Sequence, residues 1–117
     1  MNMEPVRQPT KAERKILRKL AALAYERELT RCLSRLESSF ADWRAGRIGV
    51  AQLNHSIHDY HDGDSRDLWK KYNGLSPEEL VGIAVAEGIL EQDDVPDAVC
   101  ELVTDWADRI RMLRKRP

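Results

Sequence analysis

From Lys11 to Ala45 the chain has neither glycine nor proline. In a chain of 117 residues nothing else restricts the fold as much. Thr10 stands as an N-cap at the start of this stretch and Gly46 as a stop at its end, so it reads as one helix. At the usual rise per residue such a helix is about 52 Å long. A compact chain of this size is only about 35 Å across. The helix is therefore expected to overhang, kink or break. Its late apolar positions, Leu29, Leu33, Leu36, Phe40 and Trp43, step by 4, 3, 4 and 3 and form one seam. The early ones, Ile16, Leu17, Leu20, Leu23 and Ala24, do not align with that seam, so a break, if the helix has one, is expected at Tyr25 to Arg27.

Almost all other glycines and prolines fall between periodic segments, as discrete helices require. A second helix is expected from Val50 to His61, burying Val50, Leu53, Ile57 and Tyr60 and stopped by Gly63. A short third one, Arg66 to Tyr72, is capped by Asp64 or Ser65 and turns Leu68, Trp69 and Tyr72 inward. Asn73-Gly74 is its expected left-handed C-cap. The fourth helix has the clearest start, with Ser76 as N-cap, Pro77 at N1 and Glu79 at N3 as a capping box, and Leu75 and Leu80 as a staple. Leu80 to Ala86 is apolar nearly all round, so this helix is expected to be buried, with Gly82 admitting a neighbouring backbone. The fifth runs from about Val95-Pro96 to Leu113 on a stripe of Val99, Leu102, Val103, Trp106, Ile110 and Leu113. Trp43, Trp69 and Trp106 each lie in such a stripe and are expected in the core. No alternating β-branched run occurs. The expected fold class is all-α, a single compact domain of about five helices with a long N-terminal helix and no sheet. Residues 1–10 are expected to be a flexible segment, 11–113 the helical domain and 114–117 a basic tail.

The composition, with 42% hydrophobic and 33% charged residues, fits a soluble chain able to build a core. No apolar run reaches the length of a membrane span, and the N-terminus lacks the apolar stretch of a signal peptide. Two cysteines, Cys32 and Cys100, make neither a disulfide framework nor a metal knuckle. The expected location is a reducing cytoplasm. The net charge of −1 hides two basic ends around an acidic middle. Lys11, Arg14, Lys15, Arg18 and Lys19 stand where a helix start prefers acids, which makes them candidates for a nucleic-acid surface. The cations from Arg109 onward instead suit a helix C-terminus.

All three histidines lie in one stretch, Leu53-Asn54-His55-Ser56-Ile57-His58-Asp59-Tyr60-His61-Asp62-Gly63-Asp64. On a helical wheel His55, His58 and Asp62 share a polar face, and His58 and Asp62 have the i,i+4 spacing that can hold two ligands on a divalent metal. A third ligand would have to come from Asp64, Asp67 or Glu101. The competing reading is a polar, solvated face. His61 borders the core on this wheel and is expected to be partly buried and bonded to the turn at Gly63. Arg66 is expected to pair with Asp62 or Asp64, or to serve as a site for a phosphate or carboxylate. Neither a phosphate-binding glycine loop nor a recognisable nucleophile motif is present.

His55-x-x-His58-x-x-His61-Asp62-Gly63, then Arg66-x-Leu68-x-Lys70-x-Tyr72, and the Ala-Glu-Gly-Ile-Leu segment at 86–90 resemble a group of short bacterial all-helical proteins of unassigned function. The resemblance implies a compact helical domain standing alone and carries over no activity. The expected role is a small, non-catalytic interaction or regulatory module without a cofactor. It would bind a protein partner or a second copy through Ile16, Leu17, Leu20 and Leu23 on an exposed part of the first helix. One alternative is a nucleic-acid-associated module using its basic termini. Another is a divalent-metal-dependent hydrolase centred on His55, His58 and Asp62.

Overall fold

The computed structural model describes residues 5–115, and among them there is no strand. The elements are α1 (Lys11–Arg44), α2 (Val50–Tyr60), a π-helical turn (His61–Ser65), α3 (Arg66–Gly74), α4 (Pro77–Ala86), a 3-10 turn (Gln92–Asp94) and α5 (Asp97–Arg114). The expected flexible segment 1–10 falls outside the described residues at 1–4, and the basic tail 114–117 at 116 and 117. Among the described residues no helix is long and apolar enough to cross a membrane.

Backbone contacts group the chain into two units, one made of the chain up to Ala24 with the stretch from Leu75 onward, the other Tyr25–Gly74. Of the alternatives of overhang, kink or break, the break near Tyr25 does not occur: the long first helix is unbroken. The junction between the units explains why its two apolar stripes are out of line: the early stripe packs in one unit and the late seam belongs to the other.

α1 opens on a reciprocal cap that is more complete than a single N-cap. The Glu13 N–H donates to Thr10 Oγ1 at 3.1 Å, and the Thr10 N–H donates to Glu13 Oε1 at 2.8 Å. Arg7 adds two bonds to the same carboxylate, at 2.8 and 2.7 Å. Together they hold the Glu13 carboxyl at a pKa of about 2, the Arg7 bond being the largest cause and the Thr10 backbone N–H the next. α1 ends, and α4 ends, on a glycine with φ of 76°, Gly46 and Gly88. Each takes the Schellman pattern, Arg47 N–H to Asp42 O and Gly46 N–H to Trp43 O in the first, Ile89 N–H to Ala84 O and Gly88 N–H to Val85 O in the second.

In the unit containing α4 and α5, the core is Leu17, Leu20, Ala21 and Ala24 of α1 with Leu80, Val81 and Ala84 of α4, Ile89 and Leu90 after it, and Val99, Leu102, Val103 and Ala107 of α5. α4 is buried as its sequence requires. Ser76 caps it, accepting from the Glu79 N–H at 3.3 Å and donating to Glu79 Oε1 at 2.8 Å. The carboxylate thus bonds the hydroxyl instead of the Ser76 backbone N–H, and Leu75 stays 38% exposed. Gly82 lies against α5: a Cβ added there would stand 2.7 Å from Trp106 Cβ and 3.1 Å from the Trp106 carbonyl carbon. Trp106 is half-buried, and its Nε1 is buried without a hydrogen-bond partner.

In the unit Tyr25–Gly74, Gly63 does not stop the helix. The chain passes through the π-helical turn directly into α3, so the expected second and third helices are one rod, and the described residues form four rods, not five. Nor does Gly74 adopt a left-handed conformation. The turn has a geometric reason. A π-turn inserts one residue without advancing the helical phase. At about 100° per residue, unbroken α-helix would place Tyr72 about 120° away from Tyr60. With one inserted residue, Leu53, Tyr60, Leu68 and Tyr72 fall within an arc of about 40°. Leu53 is buried and the other three are half-buried, as that shared face requires.

Candidate functional site

The histidines and aspartates occupy the end of α2 and the π-turn. His55, His58 and Asp62 are exposed, as the wheel requires. The i,i+4 contact that forms is His55 Nε2 to Asp59 Oδ2, at 3.4 Å. Among the described residues no group of three or more His, Cys, Asp or Glu side chains could hold a metal ion. The proposed third ligands are dispersed: Asp64 is taken by Arg35, with Nη2 to Oδ2 at 3.1 Å, and Glu101 belongs to α5 in the other unit. His61 is exposed, contrary to expectation. The helix continues past Gly63, so no returning turn covers the ring. Arg66 makes no ion pair among the described residues. With Tyr25, His61, Asp62, Ser65 and Trp69 it lines an open hollow of about 370 Å³.

Polar contacts join α1 to this rod. Glu28 accepts from the Tyr72 hydroxyl and from Lys71 Nζ, the latter at 3.2 Å. The rings of Tyr25 and Tyr72 are stacked at 4.7 Å with an interplanar angle of 11°. About two turns further along α1, Arg35 bridges Asp64 and the thiol of buried Cys32, Nη2 to Sγ at 3.3 Å. Burial, aided by Asp64, pushes the Cys32 thiol pKa up, so it is a packed group and a poor nucleophile.

The two apolar stripes of α1 exchange their expected roles. Leu17 and Leu20 are buried at 0% and 6% exposure, and Ile16 and Leu23 are half-buried, so this patch is core and not an outward surface. The late seam is the open one. Leu33 is 47% exposed and Trp43 40%, and Leu33, Leu36 and Phe40 line a shallow apolar hollow with Glu37, Ala41 and Arg44. On the facing rod Val50 is 67% exposed, Ile57 37% and Trp69 60%. Trp43 and Trp69 are thus not core residues. In this unit only Cys32 and Leu53 are buried apolar side chains. Two helices have too few neighbours to cover a face this wide, and the sequence stripe does not say how many neighbours exist.

Lys11, Lys15, Arg18 and Lys19 are exposed and Arg14 is half-buried. At the other end of the chain Arg111 pairs with Asp108 at 3.2 Å and Arg114 with Glu87 at 3.6 Å. Comparison of the chain with protein-family models, with curated proteins and with solved structures returns no match in any of the three.

Proposed function

We propose that the protein is a non-catalytic interaction or regulatory module that associates with a second copy of itself through the seam Leu29, Leu33, Leu36, Phe40 and Trp43 of α1. The observation that carries this reading is the uncovered apolar surface of Tyr25–Gly74, where Leu33, Trp43, Val50, Ile57 and Trp69 are all more than a third exposed. Apolar patches of this extent on a polar chain mark interfaces. Two features favour a second copy as the occupant. The 4-3-4-3 spacing is that of the a and d positions of a heptad, which pack against an identical seam. The unit also carries eight basic and eight acidic residues, so two copies approach without net repulsion. Paired hairpins would complete a four-helix core of the usual kind.

The test is sedimentation equilibrium of the full chain and of Leu33→Glu/Phe40→Glu. The wild type should be dimeric at micromolar concentration and the variant monomeric with unchanged helicity. A wild type that stays monomeric at the highest attainable concentration would rule out self-association.

A further inference from the structure

The first two turns of α1 carry a second surface, independent of the seam. At about 100° per residue Lys11, Arg14, Lys15, Arg18 and Lys19 fall within an arc of about 140°, and the buried Leu17, Leu20, Ala21 and Ala24 occupy a separate arc. None of the five cations makes an ion pair among the described residues. The one acid between Lys11 and Tyr25 is Glu13, and it cannot neutralise them. It lies toward the core arc, and its carboxylate is occupied by Arg7 and by the Thr10 N–H. This charge is not a device for helix stability, because cations in the first turn oppose the helix dipole. The chain's net charge of −1 does not cancel it either, since exposed charges beyond about 10 Å are screened at ordinary salt.

We propose that this face of α1 binds the phosphate backbone of double-stranded nucleic acid without reading its sequence. The chemistry of the face selects among polyanions. Besides the cations, its exposed residues are Ala12 and Ala22. It has no aliphatic or aromatic anchor to form the dry centre of a protein interface. It has no apolar side chain to enter a lipid surface, because the apolar arc of the same helix is buried. It has no aromatic ring on which the bases of a single strand could stack. Lysines and arginines on a rigid helix are sufficient for contacts to duplex phosphates.

Binding of the full chain to short mixed-sequence DNA duplexes, followed by fluorescence anisotropy across a salt series, tests this. Five phosphate contacts give a slope of log affinity against log salt of about −4.5, a loss of about 500-fold between 50 and 200 mM. Two duplexes of different sequence should bind equally. Lys15→Gln/Arg18→Gln/Lys19→Gln should reduce the slope to about −1.8, and the charge-keeping variant Lys15→Arg/Arg18→Lys/Lys19→Arg should restore it. Arg111→Gln/Arg114→Gln should leave it unchanged, because those cations are already paired with Asp108 and Glu87. Circular dichroism of each variant checks that α1 is intact. The proposal is overturned by absent duplex binding at low salt, by a slope that the triple variant does not alter, by loss of binding in the Arg111/Arg114 variant, or by binding to phosphatidylserine vesicles in place of duplex.

Discussion

Replacing Gly82 by alanine is expected to destabilise the unit containing α4 and α5, against the intrinsic preference of a helix. In a helix interior, alanine is favoured over glycine by about 1 kcal/mol. Gly82 sits in the middle of α4, so in open surroundings the substitution would stabilise. The structure puts the new methyl 2.7 Å from Trp106 Cβ and 3.1 Å from the Trp106 carbonyl carbon, where ordinary contact begins at 3.4 Å. The obstacles are backbone and a Cβ, not the free end of a side chain, so α4 and α5 must separate by most of an ångström. A gap of that size forfeits a quarter to a half of each dispersion contact across the interface. Overpacking of this kind costs about 1–3 kcal/mol. With the helix preference subtracted, Gly82→Ala should lose about 0–2 kcal/mol, where an open helix would gain about 1. Urea unfolding followed by circular dichroism measures it, with Gly63→Ala as a control. A Cβ at Gly63 meets nothing within 4 Å and its φ is not positive, so that variant should hold or gain stability, by up to about 1 kcal/mol. A Gly82→Ala protein more stable than the wild type by the full helix preference of about 1 kcal/mol would refute the close approach of the two helices.

Ser76→Ala removes the hydroxyl that accepts from the Glu79 N–H and should cost about 1 kcal/mol in the same urea assay. Tyr72→Phe deletes a hydrogen bond to a half-buried carboxylate and should lose about 1–2 kcal/mol; in a double-mutant cycle with Glu28→Gln the two losses should not add. The Glu13 carboxyl, held at about 2, should show its titration midpoint there by NMR. Its folded value is depressed, so its contribution is complete above the unfolded value near 4.5 and is lost as pH falls through 2. Glu13→Gln should therefore differ from the wild type in thermal unfolding at pH 7, and the difference should shrink as pH falls from 4.5 and vanish only below 2.

Most helix ends were legible because their chemistry is local. Ser76 and Thr10 cap as their side chains require, and Gly46 takes the left-handed conformation that a C-terminal stop needs. The reciprocal cap at α1 was legible too, in Thr10-Lys11-Ala12-Glu13, a spacing identical to that of Ser76 and Glu79. Gly63 among aspartates imitates a loop, and residue preference alone could not reveal a π-turn there. The phase mismatch between Tyr60 and Tyr72 was the available signal, since two in-line stripes offset by one residue fit one helix with an insertion. Coverage was the least legible property. Leu17 and Leu33 look alike in sequence, yet one is fully buried and the other nearly half exposed. The outward aspect of His55, His58 and Asp62 followed from periodicity, whereas the absence of a convergent third ligand depended on where Arg35 draws Asp64.

The π-turn gives the stretch between Tyr60 and Arg66 a one-sided tolerance of length. Removing a single residue there would restore regular α-helix and leave α3 facing the same way, because the inserted residue adds no rotation. Tyr60 and Tyr72, then eleven positions apart, would lie about 20° from one another, and Tyr72 and Lys71 would still meet Glu28. Adding a residue, or removing a second, would instead rotate all of α3 by about 100°, swing Tyr72 and Lys71 away from Glu28 and turn Leu68 toward water. The extra residue is thus a spare tooth in the rod, one that can be lost but not doubled, while the exposed side chains of His61 and Asp62 can be exchanged without touching the packed face.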